Sequence, residues 1–159
     1  MKTTKQTKPT SRLEIQLRRI LVPVDFSGLS VAALPQAQLF AKNFGAELIL
    51  LHVIETYPID YVVGLPESKQ LHASLEERAR REMQKLTVQL SGVKARSLVR
   101  WGKPFQEIVS AAEELEIDMI VLTTHGHTGL KHVYLGSTAE RVVRHAHCPV
   151  LVVRSGFPA

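Results

Sequence analysis

The chain predicts an α/β fold, a five-stranded parallel sheet with helices on both faces. Three observations carry that expectation. Short apolar runs alternate four times with stretches of helical period, and a fifth apolar run closes the pattern. The second run is apolar almost throughout, as a strand buried on both faces must be. At 159 residues with 45% hydrophobic side chains, the chain suits one layered domain.

The first strand is Ile20-Leu21-Val22-Pro23-Val24, ended by Asp25. The helix after it sets Ala33, Ala37, Phe40, Ala41 and Phe44 on one face and stops at Gly45, which suits a left-handed helix end. Pro35 falls inside this stretch, so a kink, or a helix starting late at Ser30, is expected. The second strand, Leu48 to Ile54, is interrupted by His52 alone. Glu55 to Ser68, with Pro58, Gly64 and Pro66, reads as a long connection. It follows the carboxyl end of a strand, and covering a bound base stands beside plain surface packing as its role.

Leu75, Ala79, Met83, Leu86 and Leu90 then recur every three or four residues on a charged helix ending near Gly92. The third strand, Lys94 to Val99, mixes charged and apolar residues, which marks a sheet edge. Pro104 fits the first turn of a third helix with Phe105, Ile108, Val109, Ala112 and Leu115 inward. The fourth strand, Asp118 to Leu122, runs into a loop of Gly, His and Thr. A short fourth helix carries Ala139, Val142, Val143 and Ala146 at core spacing, and Pro149 to Val153 makes the fifth strand. Right-handed crossovers are expected, with the first and fourth strands on either side of the point where the winding reverses and the order 3-2-1-4-5. Ligands of such sheets sit outside the carboxyl ends of the strands at that point.

The net charge of +5 resembles a nucleic-acid signal until it is placed. Lys2, Lys5, Lys8, Arg12, Arg18 and Arg19 face Glu14 alone in residues 1–19, and the remainder is balanced. Residues 1–17 therefore read as a disordered basic tail before a domain at 18–159. A solvated leader accounts for the tail better than a nucleic-acid arm, which would show steeply salt-dependent binding. No apolar run reaches a membrane span, and the first residues lack the apolar segment of a secretory signal. The single Cys148 cannot close an intrachain disulfide, which fits a reducing compartment, and the cytoplasm is expected.

The loop from Thr123 to Thr138 draws attention as a site. Its small residues let a ligand approach the backbone. Ser137 and Glu140 stand at capping-box spacing, and a helix start preceded by Gly136 offers amides and a positive dipole end to phosphate. The alternative is that Gly126 and Gly129 only make turns and Ser137 only caps. Asp25 likewise reads in two ways: an acceptor for a ribose hydroxyl or adenine amino group, or a cap on its own turn with Ser27. Neither a Walker A nor a Gly-x-Gly-x-x-Gly sequence occurs. His125, His127 and His132 share the loop, while His145 and His147 flank Cys148. Their number and spacing do not suit zinc, so no metal held by protein side chains is expected. His145 and His147 are assigned to the end of the last helix, His127 and Lys131 to phosphate. Without a nucleophile elbow or a base beside Cys148, efficient catalysis is not expected.

Thr124-His125-Gly126-His127-Thr128-Gly129-Leu130 through Gly136-Ser137, followed by Pro149-Val150-Leu151-Val152-Val153, resembles the C-terminal signature of the universal stress protein family. Ile20 to Ser27 resembles its opening strand and turn, Leu50 to Ile54 its second strand, and Gly102-Lys103-Pro104 its turn into the third helix. The resemblance implies a Rossmann-like, adenine nucleotide alpha hydrolase-like fold and a module that binds ATP, with Mg or Mn carried by the phosphates. It would act in stress response or signalling, with at most slow hydrolysis. The ATP-binding members carry Gly-x2-Gly-x9-Gly-Ser/Thr. Gly126 matches the second glycine and Gly136-Ser137, followed by Thr138, the end. Thr123 replaces the first glycine; its Cβ would crowd the ligand or its hydroxyl would bond a phosphate or ribose oxygen. The resemblance further places Pro23, Val24 and Asp25 on the nucleoside, and Val53 and Leu122 against the base. It implies a homodimer through antiparallel pairing of the edge strand Val150–Val153. Two rivals remain. One is a family member working through protein contacts alone, which Thr123 favours. The other is an ATP pyrophosphatase-type enzyme, whose loop Phe26-Ser27-Gly28-Leu29-Ser30 echoes without its second glycine and aspartate.

Overall fold

The computed structural model describes residues 16–56, 66–124 and 135–154. Residues 1–15 of the expected 1–17 tail, part of the 55–68 connection, and the loop residues 125–134, with Gly126 and His127 among them, lie outside the described residues. The strands are β1 (Arg19–Pro23), β2 (Glu47–Glu55), β3 (Ala95–Gly102), β4 (Met119–Thr123) and β5 (Val150–Val153), and the sheet order is β3-β2-β1-β4-β5. Every pairing is parallel. The described helices are α1 (Gly28–Val31), α2 (Leu34–Phe44), α3 (Pro66–Gln89), α4 (Pro104–Glu114) and α5 (Ser137–His145).

Alternation along the central strands builds two cores. Ile20, Val22, Leu48 and Leu50 pack with Ala37, Ala41 and Met83 under α2 and α3. Leu21, Ile49, Leu51 and Ile120 pack with Ile108, Ala112 and Val142 under α4 and α5. Successive strand side chains point to opposite faces, so an unbroken apolar run feeds both layers at once. Losing a side chain such as Met83, which is fully buried, would cost about 2–5 kcal/mol.

Several elements depart from the expectations. Pro35 produces neither a kink nor a helix from Ser30; the chain breaks at Ala32–Ala33 and α2 starts afresh with Pro35 in its first turn. A proline ring clashes with the carbonyl four residues back, so one helix cannot run through it. α3 begins at Pro66, inside the expected connection. Phe44, Leu75 and Val143, expected inward, are 44%, 39% and 46% exposed. Phe44 stacks on Phe40 instead, at 6.3 Å between rings. Val143 stands one residue, hence about 100° of helix turn, from the buried Val142. Gly45 does end α2 in the left-handed region, at φ 68°. β3 is an edge as expected, and Arg100 pairs there with Glu114 at 2.6 Å and Glu107 at 3.6 Å. No described helix is long and apolar enough to cross a membrane.

At the amino ends of the strands, Asp118 holds β1 to β4. Its Oδ2 accepts from the backbone N–H groups of Arg18 (2.7 Å) and Arg19 (2.9 Å), while its own N–H donates to the Arg19 carbonyl at 3.0 Å. Asp118→Ala strands two donors beside the sheet. Denaturant unfolding is expected to show a loss of about 1–3 kcal/mol, and Asp118→Asn, which keeps an acceptor, a smaller one.

Candidate nucleotide site

The site begins where β1 runs out. Pro23 has no N–H, but Val24 continues the ladder by donating to the Leu51 carbonyl at 2.8 Å. The chain then folds on itself. Asp25 Oδ1 accepts from Ser27 N–H (2.9 Å) and Ser27 Oγ (2.6 Å). Ser27 Oγ accepts from Ser30 N–H at 3.1 Å, capping α1, and Ser30 Oγ takes the Asp25 N–H at 3.2 Å. The turn-capping role foreseen for Asp25 is thus present, and Asp25 also faces the cavity described below. Phe26 sits at φ 63°, a left-handed conformation uncommon for an aromatic residue.

His52, half-buried in β2, backs this turn. Its Nδ1 lies 2.8 Å from the Val24 carbonyl oxygen, and its ring centroid is 4.1 Å from that of Phe26. A carbonyl only accepts, so Nδ1 carries the hydrogen. Burial pushes the His52 pKa below the usual histidine range, against the bond to Val24 and the charge of Asp25, which raise it.

The second wall comes from β4 and α5. Thr124 N–H donates to the Val153 carbonyl (3.2 Å), and Gly136 N–H to the Thr124 carbonyl (2.7 Å), so the two ends of the intervening loop are pinned together. The capping box is not formed. Gly136 is the N-cap, at φ −58° and ψ 149°, and as a glycine it offers no capping side chain. Ser137 is therefore already helical and Glu140 one position too far along to reach back; Glu140 pairs with Arg144 at 2.7 Å instead. In an α-helix the first amides lack intrahelical acceptors. That of Gly136 is taken by Thr124, which leaves Ser137, Thr138 and Ala139 as the amides at the dipole's positive end.

A cavity of about 280 Å³ opens between these walls, close to the lower end of the usual range for ligand pockets, ~300–1,000 Å³. Nine of the expected residues line it. Pro23, Val24 and Asp25 come from the end of β1 and Val53 from β2. Leu122 and Thr123 come from β4, and Gly136, Ser137 and Thr138 from the start of α5. Thr123 is buried, at 9% exposure, while Ser137 and Thr138 are exposed. Sequence reasoning missed Ser30, Leu51, Glu55, Thr124, Ala139 and, from α4, Pro104 and Ile108. The period of two was signal enough for β2, since Leu51, Val53 and Glu55 share one face at its carboxyl end. Nothing local foretold the α4 contribution, which depends on how that helix crosses the sheet.

The chemistry on offer is that of binding. Apolar walls from Val53, Leu122 and Pro23 suit a flat ring, hydroxyls and uncapped amides suit an anion, and Asp25 and Glu55 are the ionisable groups among the described lining residues. Burial pushes the Cys148 thiol pKa up, the wrong direction for a nucleophile. His145 Nδ1 lies 2.8 Å from the Arg141 carbonyl, at the helix end as expected. Among the described residues no three His, Cys, Asp or Glu side chains gather as metal ligands do.

Comparison with known proteins agrees with this architecture. The family model described as "Universal stress protein family" matches residues 16–154. Universal stress protein MJ0531 of Methanocaldococcus jannaschii is 38% identical over 142 residues, spanning 86% of this chain and 82% of that one. The solved structure of hypothetical protein MJ0577 superposes with a TM-score of 0.80 at 34% identity, over 91% of this chain and all of that one. More distant structures share the fold. A universal stress protein in complex with cAMP superposes with a TM-score of 0.63 at 20% identity, over 89% of this chain and 99% of that one. The universal stress protein of Archaeoglobus fulgidus in complex with dAMP gives 0.60 at 18% identity, over 87% and 98%. By the family model and by its relatives, this chain belongs to the universal stress protein family.

Proposed function

We propose that the chain binds a purine nucleotide, ATP, in the cavity at the carboxyl ends of β1, β2 and β4, and uses it as a reversible ligand in stress response or signalling. The observation that carries this reading is the uncapped start of α5, which brings the amides and hydroxyls of Ser137 and Thr138 to one side of a cavity whose other side is apolar. That arrangement suits phosphate at one end and a base at the other. The complexes of related proteins with cAMP and dAMP support a nucleotide. Asp25 and Glu55 add negative charge, so Mg or Mn arriving on the phosphates would offset the repulsion. Such an ion would supply charge neutralisation; the chain's own part is to hold the ribose side with Asp25 and the phosphates with α5. Gly126 and His127 extend the proposed phosphate contacts. The proposal is a binding role, with at most slow hydrolysis, and a cytoplasmic location.

Thr123 favours the second reading, a member acting through protein contacts alone. In the proposed site, its buried side chain forms part of the wall.

A homodimer through β5 belongs to the proposal. The bonds Ile120 N–H to Pro149 O and Thr124 N–H to Val153 O show which peptide groups of the strand face β4. By alternation those of Val150 and Val152 point outward, ready for a second copy.

Purified protein is expected to release nucleotide on denaturation and to bind ATP with magnesium in calorimetry; neither bound nucleotide nor heat would remove the reading. Ser137→Ala should weaken ATP binding by about 2–10-fold, the worth of one hydrogen bond. Because Ser137 is not a cap, thermal unfolding should shift by less than about 0.5 kcal/mol. For the dimer, light scattering should give the mass of two chains for the native protein and of one for Val152→Pro, which deletes an outward donor and spares the ladder to β4.

A further inference from the structure

We propose that His52 is a positioning residue of this pocket: its imidazole, bonded through Nδ1–H to the Val24 carbonyl and packed on the Phe26 ring, sets the place of the Val24–Asp25 wall. On the α2/α3 face of β2, Leu48 and Leu50 are wholly buried, and the next residue in that row is His52. An aliphatic side chain would continue the pattern, so the imidazole there answers a different demand. Val24 still donates its N–H to the Leu51 carbonyl, and beyond Val24 the wall leaves the sheet. The bonds among Asp25, Ser27 and Ser30 are local and shape the turn without tying it to β2. His52 adds a second hold on Val24, by the 2.8 Å bond to its carbonyl, and reaches past it to the turn by the 4.1 Å contact with Phe26, whose backbone is held at φ 63°. His52 does not line the cavity; Val24 and Asp25 do. The residue therefore acts through them. Its effect on a ligand rests on the nucleotide reading, whereas its effect on the wall does not.

The bond to Val24 requires the Nδ1–H tautomer, the less common one for a free neutral imidazole. The groups around the ring are few. Asp25 faces it from the β1 side and α1 brings no charge. β3 sets Val99 opposite, and beyond it Trp101 gathers His72 and Glu76 of α3. Because burial lowers the folded-state pKa, the unfolded chain takes a proton first as the medium is acidified. The His52 contribution is whole above about pH 6.5 and declines as pH falls toward the depressed folded value.

The test uses the full chain with His52→Asn, which keeps a donor near the Nδ1 position but does not titrate, and His52→Leu, which fills the space without a donor. In ligand-free wild type, imidazole 15N shifts should report the Nδ1–H tautomer at neutral pH. Amide exchange at residues 25–30 should quicken by about 2–10-fold in His52→Leu and stay nearer wild type in His52→Asn. Both variants should lose the His52 part of the acid-side stability slope. Magnesium-ATP affinity should fall with the exchange rate in His52→Leu and recover in His52→Asn. An Nε2–H tautomer, or unchanged exchange in a folded His52→Leu, would overturn the proposal. If His52→Leu does not fold, the tautomer and the exchange of His52→Asn against wild type decide. Wild type that binds no ATP would sink the nucleotide reading and leave these ligand-free readouts to judge His52.

Discussion

Everything in this molecule depends on how far β1 and β4 stay together. β1 pairs with β2 over five residues, from Arg19↔Glu47 to Pro23↔Leu51. With β4 the register covers two pairs, Ile20↔Met119 and Leu21↔Ile120. Asp118 clamps the amino ends, and toward the carboxyl ends the two strands part. Parting is enforced by topology. The connection after β1 crosses one face of the sheet and the connection before β4 crosses the other, so no element fills the gap between them. The cavity is that gap.

What turns a gap into a binding site is the state of the backbone around it. A helix start without a side-chain cap leaves polar groups in need of partners, and at α5 those groups border the cavity. Pinning Gly136 to Thr124 stabilises the base of the loop, so the helix enters at a set angle whatever the loop does above it. On the opposite wall, the turn satisfies the donors of Asp25, Ser27 and Ser30 from within and takes its position from the sheet. Both walls are thus backbone features held by a rigid scaffold. Such construction suits recognition, where fixed amides meet a ligand.

The departures from expectation share a cause. Pro35 was read as a flaw in one helix, and the chain resolves it by using two. Ser137 was read as a cap from its spacing to Glu140, yet Gly136 takes the cap position and the register moves by one. Phe44 and Val143 have the right period for a core but sit at a helix end or on the flank of the stripe. In each case the local pattern names the residues and the packing partner decides how many of them it can cover.

Sequence alone determined the layered parallel sheet, because strands buried on both faces and helices with one apolar stripe leave few other ways to remove that surface from water. It determined the crevice too: Pro23, Val24, Asp25, Val53, Leu122, Thr123, Gly136, Ser137 and Thr138 line one cavity because each lies at or just past the carboxyl end of a strand or at a helix start. Only the tertiary structure decided which groups in that crevice are already engaged. That Asp25 binds Ser27, that Gly136 N–H is taken by Thr124, and that His52 reaches the Val24 carbonyl are facts about residues brought together in space. A hydrogen bond depends on fractions of an ångström and on direction, and a linear pattern carries the order of residues but not those distances.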